Sequence, residues 1–143
     1  MLAQDHRGPG RLRELLAGTE PVVAPGAYDA LSARLVAQAG FEAVYMTGFG
    51  ASASLLGQPD VGLLSFAEMA DQARRLAEAV DVPLIADADD GYGNPINVAR
   101  TVRAMMTRSG ERRASIAAGT FSTISPAALS CLPSRCPQRF GES

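Results

Sequence analysis

The sequence predicts an α/β protein built on a parallel β-sheet, and three observations carry that prediction. Three short apolar segments (PVVA, AVYM and VPLIA) do not alternate with polar residues, as strands buried on both faces do not. Amphipathic segments with helical periodicity separate them. The β–α units follow one another directly, as parallel strands joined by crossover helices must. Periodicity alone fits a closed barrel and an open doubly wound sheet equally well.

In chain order, residues 1–10 read as a polar, flexible leader. Residues 11–17 (RLRELLA) form a short amphipathic helix ended by Gly18. Residues 21–24 are the first strand, closed by a Pro25-Gly26 turn. Residues 30–39 are helical, with Leu31, Leu35, Val36 and Ala39 on one stripe and Gly40 just past the end. Residues 43–46 are the second strand, and 47–54 a loop of small residues. Ser65 opens the next helix as its N-cap, and Glu68 completes a capping box three residues on. The stripe of that helix is Phe66, Met69, Ala70, Ala73, Leu76, Ala77 and Val80, and Asp81 and Pro83 end it. Residues 82–86 are the third strand. Asn94 and Pro95 then start a helix in the N-cap/N1 order, continued by Val98, Val102 and Met105. Beyond Met105, residues 106–143 are rich in Ser, Pro and Arg. They predict a weakly structured tail without a strand, holding at most some helix over residues 113–121.

Composition removes several functions. With 47% hydrophobic and 20% charged residues, the chain is that of an ordinary globular protein. A net charge of −2 provides neither a basic field for nucleic acid nor a polybasic patch for lipid. All 13 positive residues are Arg, so Schiff-base chemistry on Lys is excluded. The one His, His6, lies in the leader. Cys131 and Cys136 have too few companions for a metal site and read as incidental thiols. No apolar run is long enough to span a membrane, and the first residues lack a signal-peptide core, which predicts a cytoplasmic protein.

The strongest chemical signal is Asp87-Ala88-Asp89-Asp90-Gly91-Tyr92-Gly93-Asn94, directly after a buried strand. Alternation along an extended chain puts Asp87 and Asp89 on one side. Neighbouring carboxylates repel unless a proton or a cation intervenes. Mg²⁺, which accepts one or two carboxylates and keeps several waters, suits that pair best, with Mn²⁺ as a substitute. The competing reading is that these aspartates cap the following helix, a role Asn94 already fills. An EF-hand is excluded, because Tyr92 stands where the turn glycine is needed and Val98 where the final glutamate is needed.

A second signal is Tyr45-Met46-Thr47-Gly48-Phe49-Gly50-Ala51-Ser52, a glycine-bearing loop whose amides suit an anion. Its glycine spacing imitates a dinucleotide fingerprint. Gly57-Gln58-Pro59 interrupts the helix that such a motif should open, and no acid sits at a strand end about twenty residues on. Asp60, after Gln58-Pro59, is either a turn former or a third site acid.

Taken jointly and in order, PGAYDALSARLVAQAGFEAVYMTGFGASAS, LGQPDVG and LIADADDGYGNPINVARTVR resemble the isocitrate lyase/phosphoenolpyruvate mutase superfamily over about two-thirds of the chain. Its nearest branches are 2-methylisocitrate lyase, oxaloacetate decarboxylase and carboxyphosphonoenolpyruvate phosphonomutase. The resemblance implies an incomplete (β/α)8 barrel over residues 11–105, about its first three β–α units, because a full barrel takes roughly 250 residues. It implies a Mg²⁺-dependent lyase or mutase acting on a small carboxylate substrate, with a C–C or P–C bond made or broken beside the carboxylate through a pyruvate enolate-like species. By the same resemblance Asp87 is the direct metal ligand and Asp89 a ligand through water. Asp60 is the loop acid beside the substrate, and Tyr45, Thr47 and Gly48 belong to the loop that grips its carboxylate.

The resemblance stops after residue 104. The family continues with a strand ending in a Glu-Asp pair and a Lys-Lys-Cys-Gly-His loop that carries the general acid/base cysteine. Neither occurs here, and Cys136 is followed by Pro137. A frameshifted or misjoined ending is the simplest account of the tail, and an evolved short form is its rival. The expectations that follow are a polypeptide inactive by itself, or a non-catalytic fragment that binds metal weakly, and in either case self-association or pairing with a complete homologue.

Overall fold

A computed structural model describes residues 9–108 and the strand at 114–117. The elements run α1 (Pro9–Leu16), β1 (Gly26–Ala27), α2 (Ala30–Gln38), β2 (Val44–Met46), α3 (Gly48–Leu56), α4 (Phe66–Ala79), β3 (Leu84–Asp87), α5 (Pro95–Arg108) and β4 (Ala114–Ala117). The four strands form one sheet in the order β1-β2-β3-β4, every pair parallel. The strand order never reverses. Right-handed crossovers that all advance in one direction lay their helices on one face, as in a barrel wall, whereas a doubly wound sheet needs a reversal.

The helix-covered face holds the main core. Val44 and Met46 of β2 and Leu84 and Ala86 of β3 pack there against Met69, Ala73, Leu76 and Ala77 of α4 and Met105 of α5, all buried. The opposite face, to which alternation sends the intervening residues, carries Tyr45 and Ile85, and Leu12 of α1 closes its base with Ala43. Asp87 follows Ile85 by two residues and shares its face. The site is therefore set on the face opposite the main core, whose base α1 closes.

Several expected elements differ. The first strand is β1, not residues 21–24, and Pro25-Gly26 is no turn. The ladder opens with Tyr45 N donating to the Pro25 carbonyl and continues with Thr47 N donating to that of Ala27. Pro21 and Pro25 have no N–H to offer a ladder, so Val22 and Ala24 only pack beneath it. The expected stripe of α2 is rotated. Leu31 and Leu35 are 67% and 57% exposed, while Ala33 is buried and Val36, the part of the expected stripe that holds, packs with Ala37 against the core. The segment from Thr47 is the helix α3, capped by the Thr47 side chain, which accepts from Gly50 N, and ended by left-handed Gly57. Helix α1 starts at Pro9, inside the expected leader, and residues 1–8 lie outside the described residues.

The largest correction is at the far end. Helix α5 runs on to Arg108, and β4 pairs with β3 from Leu84↔Ala114 to Asp87↔Ala117. A strand thus lies where none was expected. Its sequence, ASIA, is small and weakly apolar, and only the waiting edge of β3 marks it as a strand. Residues 118–143, with both cysteines, lie outside the described residues. Among the described residues, no helix is long and apolar enough to cross a membrane.

Candidate metal centre and carboxylate site

The C-terminal ends of β2 and β3 bring three carboxylates to one place. A Cβ added to Gly48 would stand 2.9 Å from Asp60 Oδ2 and 3.2 Å from Asp87 Oδ2, so both acids converge on the first residue of α3, and any side chain there would intrude. Asp60 is carried by the loop after α3, which the buried Ser52 hydroxyl holds by donating to the Pro59 carbonyl at 3.1 Å. Both oxygens of Asp87 are engaged. Oδ1 accepts from Asp89 N at 3.0 Å, and Oδ2 accepts from the Tyr45 hydroxyl at 3.0 Å.

Asp87 and Asp89 do face a common site, though not by strand alternation. β3 ends at Asp87, and Asp89 has a φ of 44°, in the left-handed region. The turn is therefore tight rather than extended. Gly91 follows at φ 87°, with Val98 so close that a Cβ would meet it at 2.6 Å. The buried Thr101 hydroxyl donates to the Gly91 carbonyl at 2.9 Å and ties this loop to α5. Asn94 caps α5 by accepting from Ile96 N and Asn97 N, which leaves Asp87 and Asp89 free of that duty.

The electrostatics follow from the crowding. Partial burial, then the charges on Asp87 and Asp60, hold the Asp89 carboxyl above its ordinary range. Burial and the neighbouring carboxylates likewise push the Tyr45 and Tyr92 hydroxyls up. Among the described residues, no Arg pairs with Asp60, Asp87 or Asp89. Tyr92 was not anticipated as a site residue. Its ring packs on Phe66 (centroids 5.6 Å apart), and its buried hydroxyl lies by Asp89 outside good hydrogen-bonding geometry.

These donors suit a hard divalent cation. They are all oxygen, mutually repelling, open to solvent at Asp60 and Asp89, and accompanied by an orphaned buried hydroxyl. Among the described residues, no three His, Cys, Asp or Glu side chains close into a ready cage, so waters or a substrate would complete the shell. Beside the carboxylates, α3 presents its N-terminus. Thr47 Oγ1 satisfies Gly50 N, and the Gly48 and Phe49 amides head the helix.

A parallel sheet with an acid cluster at its strand ends, beside a helix N-terminus, matches where α/β proteins bind ligands, at the C-terminal ends of their strands. The phosphoenolpyruvate phosphomutase family model matches residues 12–110, and the chain belongs to the phosphoenolpyruvate mutase/isocitrate lyase superfamily. It is 59% identical over 93 residues to a 2,3-dimethylmalate lyase of Eubacterium barkeri, a match covering 65% of this chain and 32% of that protein. A match at 39% identity to an oxaloacetate decarboxylase of Rhodopseudomonas palustris (strain BisA53) spans 134 residues, 94% of this chain and 41% of the relative, and so runs into the tail. Among solved structures, a phosphonopyruvate hydrolase complex with oxalate and Mg²⁺ superposes with a TM-score of 0.67 at 36% identity, covering 70% of this chain and 35% of that one. The chain thus spans about a third of the length of the first of these relatives.

Proposed function

We propose that this chain carries the metal- and carboxylate-binding part of a Mg²⁺-dependent lyase or mutase site, within the opening β–α units of a (β/α)8 barrel. The convergence of Asp60 and Asp87 on Gly48 carries the reading, because it sets a cation site directly against a helix N-terminus. Asp87 and Asp89 would hold the ion, Asp87 as the direct ligand and Asp89 through water, as the resemblance to the superfamily implies. Once bound, Mg²⁺ would supply Lewis-acid stabilisation of negative charge developing on a substrate oxygen.

The protein's own groups do the rest. The Gly48 and Phe49 amides, with the Thr47 side chain fixed as their cap, hold a substrate carboxylate at the positive end of α3. Gly48 keeps the space between that carboxylate and Asp87 clear. Asp60, pinned through Ser52 and Pro59, lines the open side. The substrate class is a small carboxylate of the 2-methylisocitrate, oxaloacetate or phosphonate type, and Mn²⁺ can replace Mg²⁺. The superfamily's acid/base cysteine loop has no counterpart in these 143 residues. Positioned general acid/base catalysis is typically worth about 10²–10⁴-fold, so the isolated polypeptide should turn over 2-methylisocitrate and oxaloacetate no faster than free Mg²⁺ does.

Titration calorimetry with Mg²⁺ and Mn²⁺ tests the reading, alongside turnover assays with both substrates. Weak binding heat that vanishes in Asp87→Ala is expected. Heat unchanged by that substitution would remove the proposed site. Turnover above the metal-only background and lost in Asp87→Ala would instead show a competent enzyme.

A further inference from the structure

We infer that Tyr45 is a positioning residue for the metal ligand Asp87 rather than a residue that grips the substrate, an inference that rests on the reading of Asp87 as ligand. The sheet builds the contact. Tyr45 on β2 is registered with Ile85 on β3, and Asp87 lies two residues further along the same face. That diagonal is within reach of an aromatic side chain. The half-buried Tyr45 packs against Leu12, Ala43 and Ile85, and its hydroxyl donates to Asp87 Oδ2 at 3.0 Å. Oδ2 is the oxygen that lies by Gly48, on which the Asp60 carboxylate also converges. The other oxygen is held from within the loop by Asp89 N.

With a donor on each oxygen, the Asp87 carboxylate has a fixed plane. One lone pair of Oδ2 is committed to Tyr45, and the other is left towards the site. A phenylalanine would keep the packing and release that plane, so Oδ2 could swing away from Asp60 and out of ligating position. Donors that orient a ligating carboxylate typically contribute about 10–100-fold to metal affinity.

The test measures Mn²⁺ affinity of the whole chain by equilibrium dialysis, for wild type, Tyr45→Phe and Asp87→Ala. Thermal melts in metal-free buffer and oxalate affinity at saturating Mn²⁺ accompany it. Tyr45→Phe should bind Mn²⁺ at least about tenfold more weakly, with melting and oxalate affinity at saturating metal close to wild type. Metal should also perturb the near-ultraviolet tyrosine absorption, and the change should persist in Tyr92→Phe. Unchanged Mn²⁺ affinity in Tyr45→Phe, with oxalate affinity reduced, would overturn the inference and return Tyr45 to the substrate. If Tyr45→Phe does not fold, the Tyr92→Phe chain decides alone, and no tyrosine perturbation there would count against the inference. Wild-type affinity in Asp87→Ala would instead sink the metal reading itself.

Discussion

Asp29, at the N-cap of α2, has an extended backbone (φ −145°), and its Oδ1 accepts from Ser32 N at 2.7 Å while Ser32 Oγ returns bonds to the Asp29 backbone. The Ser32 amide, then its hydroxyl, holds the Asp29 carboxyl below its ordinary value. A carboxyl lowered by folding stabilises the protein above its unfolded pKa, and that contribution fades as pH falls through the folded pKa. Asp29→Ala should therefore cost about 1 kcal/mol at neutral pH, and the gap to wild type should close in acid. Asp29→Asn should keep most of the cap and flatten the pH dependence. Urea melts across the acid range check both, and a gap that widens in acid would contradict the sign. At this scale much of the site was legible. Asp87 and Asp89 stand out by residue type and by their place after a buried strand, whereas Asp60 is singled out only by the family resemblance. The bond from Tyr45 to Asp87 does not stand out, because it depends on the register between two strands, which no local pattern encodes. Tyr92 was passed over for the same reason, since its environment is made by Phe66 and by a left-handed turn.

Among the elements, legibility follows the range of the forces involved. The capping box at Ser65 and Glu68 and the Asn94-Pro95 start are local side-chain chemistry, and both read correctly. So did the buried stripe of α4, where a wide apolar face leaves little choice of orientation. Strands of two to four residues were harder, because pairing rather than composition sets their limits. β1 is displaced towards the Pro25 carbonyl that β2 can use, and β4 exists in a segment with no strand signal of its own. Helix α3 hid among Gly and Ser, which are weak helix formers. Thr47 and Gly57 as caps, with Ala51 and Ser52 buried, are what hold it. That error bore on function, since the expected loop of amides is the N-terminus of a helix, and its dipole favours the same anion.

For the whole molecule, the described strands run β1-β2-β3-β4 without a reversal, an order consistent with part of a barrel wall. Within the described sheet, β1 and β4 each have one unpaired edge, and Leu31 and Leu35 stand exposed on α2. Open edges beside apolar surface favour association. Size-exclusion with light scattering should therefore show dimers or larger species of this chain, and a monodisperse monomer at high concentration would contradict this. In the proposed function, one cation held at Asp87 against the N-terminus of α3 makes this a carboxylate site. Oxalate binding measured with Mg²⁺, with EDTA, and in Asp87→Ala with Mg²⁺ tests it most directly. Binding is expected only in the first condition. Oxalate bound equally well in EDTA, or by the Asp87→Ala chain, would contradict it.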